Sequence, residues 1–468
     1  MTELTRLPNG LTIATAAMPH MASVSLGVWV GVGSRYETAA QGGASHFIEH
    51  LLFKGTRHRS ARQISEEVEG LGGYLNAYTS EDHTCFHAKA RADRFPALLD
   101  VLMDMFLDSR FAPADIAKER EVIKEERASY QDQPQHLVQD LLSETLWPGH
   151  PMGRAIEGTP RSLDGLNRAR LLEFFSANYV AANVCIVAAG NVTHAEVVKA
   201  LQPYAKHFRT GPKPTCEPVS GAAVPAASIL PASPSGTLGG PRQARTPAPL
   251  LPRIRLHTKA TEQTQLALGI RVASRHDERR FALRLLNALL GECMSSRLFQ
   301  SLREDRGIAY DVHSSVSFFA DCGDLSIYAG VDEDKLPKVL RLIAAELRRL
   351  VAKAPSASEV RRVRDYVIGQ FDLAIEGTEP HMTWLGEQLI GHDELIPAAL
   401  TRERLAAVTP AQIRAAARDF FRPELLNVAL VSPMKSAAHL AALLNPKLEM
   451  EVTLSPQGDP VPSLRRRT

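Results

Sequence analysis

Long apolar runs are missing from this 468-residue chain; none approaches the roughly 20 residues needed to span a bilayer. Cysteine is scarce. The five residues Cys85, Cys185, Cys216, Cys293 and Cys322 are scattered and never spaced C-x-x-C. That argues against a cysteine zinc site or a disulfide framework, and for a reducing compartment. Neither sign of charge is in excess, since 54 Lys and Arg stand against 52 Asp and Glu. Nothing there calls for nucleic acid or an anionic membrane as partner. The opening MTELTRLPNGLTIAT has no apolar signal core and no Arg/Ser-rich presequence, so the expected location is cytoplasmic.

Against this plain background, GGASHFIEHLLFKGT (42–56) places His46, Glu49 and His50 within five positions of an apolar run. The run predicts a helix, with Ser45 as N-cap and Gly55 ending it. At about 100° per residue, His46 and His50 lie about 40° apart on one face, and Glu49 about 60° to the other side of His46. Two imidazoles one turn apart can grip one metal ion, and a carboxylate beside them can take a proton from water. The alternative is a pair of hydrogen-bonded core histidines with an unrelated acid.

Residues 210–252 are dense in Pro, Ala, Ser and Gly. Such a segment cannot bury enough apolar area to offset its ordering entropy, and reads as a linker. It divides the chain into a half at 1–209 and a half at 253–445, with a tail at 446–468. The halves resemble each other. SVSLGVWVGVGSR (23–35) is matched by TQLALGIRVAS (264–274), and the helical stretch 91–126 by 332–370. The pattern is that of an internal duplication. Each half mixes alternating strands with amphipathic helices, so the expected class is α+β, two homologous halves each with a largely antiparallel sheet and helices packed on it.

A catalytic zinc usually takes three protein ligands. EREVIKEERASY (119–130) is the best source of the third, with Glu119 and Glu126 seven apart on one helix face. By itself the stretch reads as a solvated helix laced with charge pairs. The other half, however, places Val363 opposite Glu119 and Gln370 opposite Glu126, and LRLLNALLGE (283–292) has no histidine. A purely structural role would more naturally appear in both copies.

Over about 20–205 and 255–435 the chain resembles the pitrilysin and mitochondrial processing peptidase family of inverted-motif zinc peptidases, in its bacterial two-half form. The resemblance implies two halves closing around a cavity and one Zn2+ per chain. His46 and His50 would be ligands, with Glu126, 76 positions beyond His50, as the third; Glu49 would be the base and Glu119 a support. It implies that Asn76 and Ala77, in GGYLNAYTSEDHT (72–84), hold a peptide backbone by strand addition. It also implies that Arg303 and Tyr310, in MSSRLFQSLREDRGIAY (294–310), reach substrate carbonyls. The function implied is a zinc metalloendopeptidase acting on peptides or extended protein segments, as a homodimer or beside a paralogue. The alternative is a peptide-binding or structural subunit with little activity alone. The remaining histidines, His20, His58, His83, His87, His136 and His150 among them, are expected bystanders. His83 and His87 are the next candidates to line the site, with Cys85 expected on the opposite face.

Overall fold

The computed structural model describes residues 2–216, 218–219, 253–444 and 451–454. Most of the expected linker and most of the expected tail lie outside these. Two six-stranded sheets form the framework, and the class is α+β. The first contains β1 (Thr2–Arg6), β2 (Thr12–Ala17), β3 (Ser23–Val30), β4 (Tyr74–Thr79), β5 (Thr84–Arg91) and β6 (Val184–Gly190). The second contains β7 (Arg253–Thr258), β8 (Thr264–Val272), β9 (Asp311–Phe318), β10 (Gly323–Val331), β11 (Asn427–Ser432) and β12 (Glu451–Leu454).

The strand orders are β1-β2-β6-β3-β5-β4 and β12-β7-β11-β8-β10-β9. From β2 and from β7 onward they are the same path, so the duplication extends to topology. Pairing is antiparallel except between β2 and β6, β7 and β11, and β7 and β12. Thus four residues of the expected tail form an edge strand. The first residues of the expected linker are also placed: Gly211 lies against Val180, and Cys216 against the Tyr36 hydroxyl.

Two compact units arise, and they do not follow the sequence halves. Unit 1 comprises Met1–Gln131, Gly149–Glu217 and Asp365–Glu403; unit 2 comprises Asp132–Pro148, Pro218–Arg364 and Arg404–Thr468. Each half therefore lends a segment to the other's unit.

The helices that bear on the site and its supports are α1 (Ala44–Leu52), α2 (Ala61–Gly70), α3 (Phe95–Asp108), α4 (Pro113–Asp132), α5 (Pro134–Leu146), α6 (Pro160–Gly165), α7 (Arg168–Asn178), α8 (His194–Ala205) and, from the far half, α9 (Thr378–His392). On β3, Val24, Leu26, Val28 and Val30 enter a core shared with α1, α3, α7 and α8. The alternate residues meet α9, as period-two strand geometry requires. Ser25 is 2.9 Å from the Thr378 hydroxyl, and the Trp29 indole N–H donates to Met382 Sδ at 3.4 Å. In unit 2, α5 packs on β8, where a Cβ on Gly269 would come within 2.8 Å of Leu146. No helix among the described residues is long and apolar enough to cross a membrane.

Candidate metal centre

Helix α1 buries Phe47, Ile48, Leu51 and Leu52, two pairs one turn apart. His46, Glu49 and His50 occupy the remaining sector, half-buried. The helix starts differently from the sequence expectation. Its N-cap is Gly43, in the left-handed region at φ 91°, and no side chain of the cap residue accepts a hydrogen bond. Ser45 already lies within the first turn. The free N–H groups go to a remote carboxylate: Glu37 accepts from Gly43 N at 2.8 Å and from Ser45 N at 2.7 Å.

Helix α4 supplies the acids. Its inward stripe is Ile116, Glu119 and Ile123, all buried, followed by half-buried Glu126. One donor atom each from His46, His50 and Glu126 lie within 4.8 Å of one another. Glu126 Oε2 is 3.8 Å from His46 Nε2 and 3.6 Å from His50 Nε2. A tetrahedral zinc sets such donors roughly 3.3 Å apart, and both Glu126–imidazole distances lie within a few tenths of an ångström of that. The set, two imidazoles and a carboxylate, fits zinc. His50 Nδ1 faces Glu119 Oε2 at 3.2 Å, which leaves Nε2 for the ion. Glu119 is 1% exposed, and Lys54 Nζ at 3.0 Å from Oε1 balances its charge. Burial, then repulsion from His50, pushes His46 down to about 3, so its imidazole is neutral and its lone pair available.

Glu49 stands outside that trio. Its Oε2 accepts from Thr79 Oγ1 of β4 at 2.6 Å, and burial pushes its pKa up against that bond. A raised carboxyl pKa brings a general base nearer to neutral pH. Tyr130, one turn beyond Glu126 on α4, donates to Glu126 Oε1 at 3.2 Å. Sequence reasoning missed Thr79, Lys54, Tyr130 and Glu37. Only Tyr130 left a trace in the sequence, the i,i+4 spacing from Glu126.

Among the described residues, strand β4 is an edge, paired on one side only, with β5. Asn76 lies opposite His87 and Ala77 opposite Phe86, so Ala77 faces the helical layer and Asn76 the α9 side. His83, Cys85 and His87 are spaced by two and share one face, contrary to the expected split. Cys85 is buried among the α9 contacts, the His83 ring centroid lies 5.1 Å from that of Trp29 at a tilt, and His87 Nδ1 is 3.1 Å from Glu379. These histidines do not join the trio.

Arg303 and Tyr310 belong to unit 2. The guanidinium lies 5.4 Å from the Tyr310 ring centroid and 5.0 Å from that of Phe299, and Tyr310 is 77% exposed. Another cluster, His58, Asp104 and Asp108, borders a cavity of about 700 Å3. Asp104 Oδ2 is already engaged by Thr56 Oγ1 at 2.7 Å and Arg59 Nη1 at 2.9 Å. It reads as an anchor for the 56–59 loop.

Residues 12–160 match the family model described as insulinase (peptidase family M16), and residues 165–367 match the M16 inactive domain. A protein of Streptomyces coelicolor named as an uncharacterized zinc protease is 35% identical over 433 residues, 92% of this chain and 89% of its own. One of the same description in Bacillus subtilis is 34% identical over 433 residues, 91% and 97% of the two chains. Among solved structures, a protease from Helicobacter pylori superposes with TM-score 0.80 at 20% identity, covering 92% of this chain and 99% of that one. A structure from Pseudomonas fluorescens titled as an M16 inactive domain gives TM-score 0.80 at 18% identity, covering 92% and 98%. At such identities the superpositions speak for the fold alone. The sequence relatives carry the assignment, and this chain belongs to peptidase family M16.

Proposed function

We propose that this chain is a zinc-dependent metalloendopeptidase hydrolysing peptides or extended protein segments. The observation that carries the reading is the convergence of His46, His50 and Glu126 beside a separately held Glu49. His46, His50 and Glu126 would hold the ion, which supplies Lewis acidity toward the scissile carbonyl. Glu49 takes a proton from the attacking water and passes it to the leaving amine. Thr79 fixes one oxygen of Glu49 and leaves the other for that transfer. Glu119 holds the His50 ring in the tautomer that presents Nε2. The edge of β4 at Asn76 and Ala77 offers backbone groups to an extended peptide, which favours unfolded segments over folded proteins. Arg303 and Tyr310 are assigned to the substrate carbonyls. The scarcity and scatter of cysteine support a cytoplasmic location, and the family resemblance supports a homodimer or a pair with a paralogue.

Hydrolysis of a quenched peptide tests this. Activity is expected to vanish with chelator and return with zinc. Glu49→Gln is expected to keep its zinc and lose on the order of 100-fold or more in kcat. Chelator-resistant turnover, or parental turnover in Glu49→Gln, would overturn the assignment.

A further inference from the structure

The two histidines of the metal centre are held differently. His50 has Glu119 on its Nδ1. The His46 Nδ1 atom is buried and has no hydrogen-bond partner among the described residues. The orientation of the His46 ring therefore depends on where the backbone of α1 puts it. His46 is the third residue of that helix, in the turn whose N–H groups have no partner within the helix and which frays most easily.

That turn is tied down by Glu37. Its carboxylate is 4% exposed and uses one oxygen for each of two backbone donors, Gly43 N and Ser45 N. Burying a carboxylate is costly unless it is well paired, so such a group is an expensive way to cap a helix. Ordinary caps are cheaper, as at Ser60 on α2, which accepts from Gln63 N. Here the cap position cannot serve. A Cβ on Gly43 would meet Glu157 O at 2.5 Å, and the backbone there is left-handed. A remote acceptor is the available solution, and it pins the start of α1 to the 34–41 segment.

We propose that Glu37 is a positioning residue of the metal centre, doing for His46, through the first turn of α1, what Glu119 does for His50. The inference rests on the zinc reading of this site.

Zinc affinity of the purified full chain, measured by competition with a chelating dye, tests it. Glu37→Ala is expected to bind zinc about 10- to 100-fold more weakly, as removal of an outer partner of a ligand does. Glu37→Gln, which keeps one acceptor oxygen, is expected to fall between it and the parent. Ser60→Ala removes a cap from the neighbouring helix α2 and is expected to lower Tm with zinc affinity unchanged. Zinc affinity within twofold of the parent in both Glu37 variants would overturn the proposal. So would an equal loss in Ser60→Ala, which would mean that stability alone was being read. Amide exchange at 43–47 in the metal-free protein gives a second readout and is expected to quicken in Glu37→Gln. If the parent itself binds no zinc, the functional reading fails. Unchanged exchange at those amides would separately refute the Glu37 contact.

Discussion

Burial pushes the Glu37 carboxyl from 4.5 up to about 7, the two backbone donors opposing it only in part. A carboxyl whose folded pKa is raised favours the folded state while protonated. Its contribution is thus fully present below about 4.5 and is lost as pH rises through about 7. The amount is about 3 kcal/mol. The metal-free parent is therefore expected to lose stability relative to Glu37→Gln between pH 5 and pH 8, measured by denaturant unfolding. Parallel pH curves for the two proteins would contradict this. Residues differ in how legible they were. His46, Glu49 and His50 showed in the sequence because their spacing alone puts them in one sector of a helix. Glu126 needed the comparison of halves and the family spacing, because the stripe of α4 alternates isoleucine with glutamate and by itself reads as a solvated helix. Thr79 lies 30 positions from Glu49, and Lys54 acts only through Glu119; both are contacts that the fold creates.

At the scale of elements, local signals gave the strands of each half and the helix around His46. They did not say which sheet a helix would cover. Helices α5 and α9 both bury apolar residues, yet either sheet could receive them as far as periodicity can tell. The exchange is settled by shape. Gly386 of α9 lets the helix backbone approach Trp29, and a Cβ there would sit inside the indole. Trp29 is fully buried, among Met382, Leu385 and Leu389. Gly386→Ala is expected to destabilise the protein by about 1–3 kcal/mol, the usual result of overpacking a filled core. An unchanged denaturation midpoint would mean that α9 does not press on the sheet as described. The start of α1 shows the same limit: Ser45 looked like the cap because sequence patterns favour serine, whereas the acceptor came from Glu37, six positions before Gly43.

Across the whole molecule, a duplicated framework carries one copy of the chemistry. The equivalent strands of the two sheets follow the same order, but Val363 and Gln370 stand where the first copy has Glu119 and Glu126. One zinc per chain is therefore predicted, not two. Elemental analysis of the purified parent beside Glu126→Ala and Glu125→Ala tests this most directly. Glu125 is the exposed neighbour on α4, and its variant controls for the loss of one acid from that helix. The expected result is one zinc per chain in the parent and in Glu125→Ala, and little or none in Glu126→Ala. A full equivalent of zinc retained by Glu126→Ala would contradict the account.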